Sequence, residues 1–241
     1  MTGDKSRFTS DRRGPGESSW GDDADWAAGT SEGVDVIDGE LVGRPPAQVD
    51  GIPDSVASYR HIGGYDNKLH VIDSYGSKEW THTTDDSIYS SPAVVEGTIY
   101  VGSFDNKLYA INAADGSEVW VYTTGASVRS SPVVVDGMVY FGSLDNSVYA
   151  INAADGSEEW IYEASGRIKN SPAVVDGTVY VGSDDNSLYA IDAADGSEEW
   201  AYATGDTISY SAPAVADGTV YVGSDDNSLY AIDAADGSEE W

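Results

Sequence analysis

Tyr89, Arg129, Lys169 and Tyr210 carry the side chains best suited to recognition chemistry. They fall in SIYSS (87–91), SVRSS (127–131), RIKNS (167–171) and TISYS (207–211), short stretches that vary while the sequence around them repeats almost verbatim. Beyond Lys107 the only basic residues are Arg129, Arg167 and Lys169, and all three lie here. Cationic heads beside phenols suit an anionic ligand or an acidic partner segment; the bland reading is leftover surface variation. Other candidates are weaker. The acids of the SDDN and DAADG turns resemble calcium loops, but calcium wants about six oxygens in a closed geometry. These acids sit in tight turns and recur in every copy, so turn chemistry is favoured and calcium is not expected. His61, His70 and His82 are spaced 9 and 12 residues apart, which matches no metal-ligand motif. No glycine-rich phosphate loop opens a helix, and no serine-elbow motif occurs. The absence of cysteine excludes disulfides, zinc–thiolate sites and thiol catalysis.

The elements that must position these residues are repeats. PAVVDGTVYVGSDDNSLYAIDAADGSEEW runs from Pro172 to Trp200 and returns from Pro213 to Trp241, with Ala216 in place of Val175 as the single change. Catalysis needs unlike groups converging on one point, so near-identical copies argue against an active site within the repeat. Trp80, Trp120, Trp160, Trp200 and Trp241 are spaced 40, 40, 40 and 41 residues apart, and the extra residue is placed near Ala212. Full units cover 91–130, 131–170 and 171–210, and a further unit runs from 211 to Trp241. A worn copy precedes them, with PPAQVDG at 45–51 and YDNKLHVID at 65–73.

Each unit reads as four short apolar segments cut by turns, for example SPAVV, TVYVGS, SLYAID and EEWAYAT between 171 and 204. Asp176-Gly177 is a two-residue hairpin signal, because a type I′ turn needs positive φ at both central positions. No segment is long or periodic enough for a helix. TVYV and LYAI are continuous apolar runs, which implies sheets covered on both faces. Four-stranded antiparallel units of about 40 residues, stacked around an axis, make a β-propeller. The expected fold is therefore all-β, a propeller of about five blades, incomplete or open. Residues 44–241 carry the repeats. Residues 1–43 are acidic and glycine-rich, with Trp20 and Trp26 as their large anchors, and are expected to be disordered apart from a short strand near VDVID (34–38).

Every unit ends in one spelling, seen as AINAADGSEVW (110–120), AINAADGSEEW (150–160) and AIDAADGSEEW (190–200 and 231–241). This resembles the tryptophan-docking motif of the pyrroloquinoline-quinone-type propeller repeat, found in quinoprotein alcohol dehydrogenases and in the outer-membrane assembly lipoprotein BamB. The resemblance extends to the strand spelling at 179–183 and the SSPAV lead-in at Ser90–Val94, and covers 59–241 well and 45–58 weakly. It implies that Trp120, Trp160 and Trp200, with Gly116, Gly156 and Gly196, fasten neighbouring blades. In the first copy the motif's alanine is read as replaced by His70 and the loop is one residue short, which puts the docking of Trp80 in question. In a propeller the lead-in to the innermost strand opens toward one end of the central channel, so Tyr89, Arg129, Lys169 and Tyr210 are expected to rim that opening. Quinoprotein dehydrogenases have about eight blades, many with a vicinal cysteine pair and a calcium site built from unlike blades. A chain with no cysteine and at most five repeats is expected to be no enzyme and to carry no cofactor, neither the quinone nor calcium.

There are 42 acidic and 12 basic residues, for a net charge of −30. Self-repulsion on that scale is tolerable in concentrated salt, where the Debye length falls to about 3 Å at 1 M. A halophile's solvated surface is the favoured reading, with a cation-binding or calcium-rich secreted protein as its rival. Nucleic acid is a poor partner for such a surface. The first twenty residues hold no apolar run, and the Arg12-Arg13 pair precedes no hydrophobic region. No membrane span is expected, and the location is cytoplasmic as written, or extracytoplasmic if the start is truncated or misassigned. The functional expectation is a non-catalytic binding or assembly scaffold for a protein or peptide, the alternative being a degenerate quinoprotein or small-ligand binder. Trp241 begins what should be an outermost strand, which residues 34–37 could supply; otherwise open edges invite a second chain, as in a homodimer.

Overall fold

The computed structural model describes residues 60–73 and 75–241 and, earlier in the chain, the backbone of two strands. Those are β1 (Val34–Ile37) and β2 (Glu40–Gly43), antiparallel with Val34 opposite Gly43. The strand proposed to complete the last blade is thus half of a separate two-stranded sheet. The Asp38-Gly39 pair between the two strands favours that local hairpin over a distant edge. The remaining expectations for residues 1–59, disorder and the start of the worn copy at 45–51, lie outside the described residues.

Five antiparallel sheets follow in chain order. Blade 1 comprises β3 (Arg60–Gly63), β4 (Lys68–Ile72) and β5 (Lys78–Thr83). Blade 2 comprises β6 (Ala93–Val95), β7 (Thr98–Gly102), β8 (Lys107–Asn112) and β9 (Glu118–Thr123). Blade 3 repeats this with β10 (Val133–Val135), β11 (Met138–Gly142), β12 (Ser147–Asn152) and β13 (Glu158–Glu163). Blade 4 has β14 (Ala173–Val175), β15 (Thr178–Gly182), β16 (Ser187–Asp192) and β17 (Glu198–Ala203). Blade 5 has β18 (Ala214–Ala216), β19 (Thr219–Gly223) and β20 (Leu229–Asp233), with Glu239 bridging back to Ile232.

The turns are those the sequence demands. Asp136-Gly137, Asp176-Gly177 and Asp217-Gly218 each hold two consecutive positive φ values, near 50° and 80°. The short strands β6, β10, β14 and β18 are the inner ones: Ser91 N–H donates to Ser131 Oγ at 2.8 Å and Ser131 N–H to Ser171 Oγ at 3.1 Å, stitching successive blades.

The strands lack polar alternation because both faces of a blade are buried. Side chains of β7 and β8 point alternately toward blade 1 and blade 3. Ile99, Val101, Tyr109 and Ile111 pack on Leu69 and Val71 behind them. Tyr100, Leu108, Ala110 and Trp120 pack on Val139, Phe141, Tyr149 and Ile151 ahead. Among the described residues four such cores join the five blades, and the first and last blades share none, so the propeller is open.

A tryptophan closes each interface. Trp120 Nε1 donates to Ala153 O of the next blade at 3.0 Å, and Trp160 and Trp200 repeat this with Ala193 and Ala234. The indole lies so near the next loop that a Cβ at Gly156 would come within 2.8 Å of Trp120, and one at Gly196 within 2.7 Å of Trp160. Trp80 makes the same approach to Gly116, at 2.6 Å. The register also corrects the first copy. Val71, opposite Trp80, holds the motif's alanine position, and His70 corresponds to Tyr109. His70 Nε2 meets Asp66 at 2.9 Å just as the Tyr109 hydroxyl meets Asp105 at 2.6 Å.

His61 stands where Tyr100, Tyr140 and Tyr180 stand in later blades. Tyr100 and Tyr140 donate their hydroxyls to Ala153 and Ala193 O, whereas His61 Nε2 is buried without a partner. Burial pushes the imidazole down from its ordinary 6.5 to about 4. The unfolded chain takes up that proton near 6.5, so this contribution is fully present above that pH and is lost as pH falls toward 4, by at most about 3 kcal/mol. His61→Tyr is expected to raise the melting temperature at pH 5, with the difference from wild type growing as pH drops from 7 to 4. Thermal unfolding in molar KCl also checks the interface. Gly177→Ala has φ +84 with open space around it and costs about 1 kcal/mol from strain. Gly156→Ala adds the clash with Trp120 and is expected to cost about 1–3 kcal/mol more.

Candidate functional site

The connection into each blade is clamped between two turns. Ile88 N–H donates to Gly64 O of blade 1 at 3.0 Å, and Ser87 O accepts from Phe104 N–H of blade 2 at 2.9 Å. The same pair of bonds recurs at Val128 and Ser127, at Ile168 and Arg167, and at Ile208 and Thr207. Ile88, Val128, Ile168 and Ile208 are buried and anchor the connections. The residue after each anchor is thereby set between the leading residues of two neighbouring turns. Around the inner end of the arc the order is Tyr65, Tyr89, Phe104, Arg129, Leu144, Lys169, Asp184, Ser209 and Asp225. The lining passes from aromatic, through one arginine, to hydrogen-bonded acid.

At the aromatic end, the Tyr89 ring meets Tyr65 edge-on at 4.6 Å and Phe104 at 4.2 Å. Tyr65 is 59% and Tyr89 41% exposed, so a ridge of ring surface faces solvent. Packing against these neighbours, and then Tyr65 itself, raises the Tyr89 phenol above its ordinary range, while the positive charge of Arg129 pulls the other way. At the acid end, Lys169 Nζ lies 2.6 Å from Asp184 Oδ2, and Ser209 Oγ donates to Asp184 Oδ1 at 2.9 Å. Thr207 Oγ1 donates to Asp225 at 2.7 Å.

Tyr210 is placed by an insertion. Gly102 N–H donates to Ser90 Oγ at 2.7 Å, and its counterpart Gly223 N–H donates to Ser211 Oγ at 2.9 Å. One residue separates Ile88 from Ser90, but two separate Ile208 from Ser211. The extra residue of the 41-residue interval therefore sits at Ser209–Tyr210, before the Ala212 position read from sequence. Tyr210 is pushed out, 71% exposed, and the Arg129 guanidinium stacks on its ring with Cζ 4.8 Å from the centroid. A side chain entering blade 3 thus meets one entering blade 5.

The structure brings Tyr89, Arg129 and Tyr210 to one end of the arc and places Lys169 there as well, but ion-paired and four-fifths buried. Arg129 is half-buried and stacked, with no carboxylate bonded to it among the described contacts. Tyr65, Phe104 and Asp184 belong to the same lining and were missed. Their signal was the residue before Asp-Asn in each turn, which reads Tyr, Phe, Leu, Asp and Asp along the chain.

The turn acids are occupied by hydrogen bonds. Asp145 Oδ2 accepts from the Tyr149 hydroxyl and from Gly125 N–H, both at 2.7 Å, and Asp185 and Asp226 do the same in their blades. A cleft of about 470 Å³ between blades 3 and 4 is lined by Asp136, Glu159, Asp176, Asp192 and Glu199, residues that recur with the repeat. The three histidines lie apart in their contacts, His70 on Asp66 and His82 near Gly116 O. Among the described residues no three His, Cys, Asp or Glu gather so as to hold a metal ion.

The family model for outer membrane protein assembly factor BamB matches residues 65–170 and 165–241. No curated protein matches the chain in sequence. Among solved structures, BamB from Moraxella catarrhalis is similar at 22% identity, with a TM-score of 0.69, over 79% of this chain and 62% of that one. Quinohemoprotein alcohol dehydrogenases ADHIIG from Pseudomonas putida HK5 and from Comamonas testosteroni are similar at 20% and 19% identity, with TM-scores of 0.64 and 0.63. Each similarity covers 76% of this chain but 40% and 41% of the enzymes. The chain therefore spans less than two thirds of each relative's length. At these identities the likeness is one of fold.

Proposed function

This chain belongs to the family of outer membrane protein assembly factor BamB, and from that membership we propose that it is a non-catalytic propeller scaffold binding an extended protein or peptide segment at the Tyr89–Arg129–Tyr210 end of the arc. One observation carries the reading. Arg129 is held by stacking on Tyr210 and not by an acid, beside a solvent-facing ridge of Tyr65, Tyr89 and Phe104. A stacked guanidinium keeps its in-plane N–H donors for a carboxylate. Exposed rings offer area at low entropic cost. Together they fit a segment that carries an acid next to an aromatic or aliphatic side chain. Steering by charge is weak in molar salt, whereas ring contacts persist there.

In this reading no cofactor takes part, and Lys169 serves to tie Asp184 into the rim. The same Arg129–Tyr210 stack also fits a small flat anion such as a quinone carboxylate, which keeps ligand binding as the second reading. A displayed random-peptide library panned in molar KCl tests both. Peptides with an acid beside an aromatic are expected to be enriched, and Arg129→Ala with Tyr89→Ala should weaken them at least tenfold while leaving the melting temperature near wild type. Enriched peptides that bind this variant as well as wild type would overturn the proposal, and competition by a small aromatic carboxylate without peptide enrichment would favour the second reading.

A further inference from the structure

The contact between blades 1 and 2 is built from different side chains than the three contacts that follow it. Each later contact carries two phenols of its leading blade. Tyr100, Tyr140 and Tyr180 donate to Ala153, Ala193 and Ala234 O of the next blade. Tyr122, Tyr162 and Tyr202 donate to Glu158, Glu198 and Glu239 there. In blade 1 the register puts His61 at the first position and His82 at the second, since Leu69 is opposite His82 as Leu108 is opposite Tyr122. Neither histidine recovers the phenol's bond. His61 Nε2 is buried without a partner, and His82 Nδ1 lies 3.4 Å from Gly116 O. The His82 ring meets Tyr109 of blade 2 at 5.5 Å. Asp105 of blade 2 accepts from Asp85 N–H across the same contact, but its Oδ1 is also buried without a partner. Of three such side-chain atoms among the described residues, two lie here.

An imidazolium at His61 would need water or a carboxylate, and the closed contact offers neither bond. Beside it, β4 presents the apolar Leu69 and Val71. The charged and titratable groups of the elements around it are Arg60 on the opposite face of β3, Glu79 and His82 on β5, and Asp105, Tyr109, Asp115 and Glu118 of blade 2. None of them bonds His61. Tyr140 and Tyr180 feel the charges of Asp192 and Asp233 on the next blade, but the matching residue of blade 2 is the neutral Asn112. Burial is accordingly what holds the imidazole near 4. When the contact opens, water reaches the ring and its ordinary 6.5 returns, so the open form takes up a proton that the closed form refuses. From pH 7 to pH 5 the opening constant rises about twentyfold. Contacts in a stack of repeats open singly as well as together. Tyr65 belongs to a turn of blade 1, whereas Tyr89 is tied to blade 2 by the bonds from Phe104 N–H to Ser87 O and from Gly102 N–H to Ser90 Oγ. Between the two rings runs the bond from Ile88 N–H to Gly64 O, which spans the contact.

We propose that the contact between blades 1 and 2 is an acid-sensitive joint: protonation of His61 opens it ahead of the other three contacts and parts Tyr65 from Tyr89, dismantling the aromatic ridge. The consequence for ligand release rests on the peptide-binding reading; the joint itself does not, and its test uses no ligand. Ile88, Val128, Ile168 and Ile208 each donate their N–H back to the preceding blade, so they are matched reporters of the four contacts. Amide hydrogen exchange, followed by NMR in molar KCl with circular dichroism confirming the fold at each pH, compares Ile88 with the other three. The ratio of rates cancels the pH dependence of intrinsic exchange. In the wild type it is expected to rise about twentyfold from pH 7 to pH 5. It should stay level in His61→Tyr and in His61→Phe, and rise as in the wild type in His82→Tyr. A level ratio in the wild type overturns the proposal, as does equal loss of protection at all four contacts. So does a rise that persists in His61→Phe, since another group then titrates, or one that His82→Tyr abolishes. A joint that behaves as expected while no peptide is enriched removes the peptide-binding reading and leaves the joint.

Discussion

A blade of this protein has two apolar faces and no means of covering either one alone. That constraint organises everything else. Side chains of β8 and β12 are buried along nearly their whole length because alternate residues serve different neighbours. An isolated sheet of this kind would leave both sets in water, so stability lies in the contacts between repeats. Trp120, Trp160 and Trp200 concentrate that contact: each ring fills the space left by a glycine in the next loop, and each N–H finds a part-buried carbonyl there. Small residues such as Ala110 and Ala150, opposite the tryptophans, leave the indole room.

The same rigidity explains where recognition can reside. Main-chain bonds fix every connection between two turns, and the buried anchors Ile88, Val128, Ile168 and Ile208 repeat with the blade. Only the residues flanking them are free to differ. Those residues differ in a graded way around the arc, from rings through Arg129 to the Lys169–Asp184 pair. An acidic protein places its one stacked, unneutralised guanidinium of this lining between its aromatic and acidic halves. The acids elsewhere serve the fold, since Asp145, Asp185 and Asp226 each accept a phenol and a main-chain N–H from the neighbouring connection.

Much of the architecture was legible in periodicity. A tryptophan every 40 residues, Asp-Gly turns and unbroken apolar strands determined an all-β stack of four-stranded units, because each signal is local or strictly repeated. Membership of the BamB family follows from the same repeated spelling. The rim was legible only as variation among copies, which pointed to Tyr89, Arg129, Lys169 and Tyr210 but not to Tyr65, Phe104 or Asp184.

What the sequence by itself determined, then, is the unit and its self-complementarity. What only the tertiary structure decided is how units meet. Packing neutralised Lys169 and left Arg129 stacked, since a cation's availability depends on which acid lies within reach in space. A single inserted residue pushed Tyr210 out of the blade and under Arg129, a contact across 81 positions that no local spacing encodes. Among the described residues the first and last blades share no common core, because closure is a property of curvature summed over all the blades and not of any one repeat.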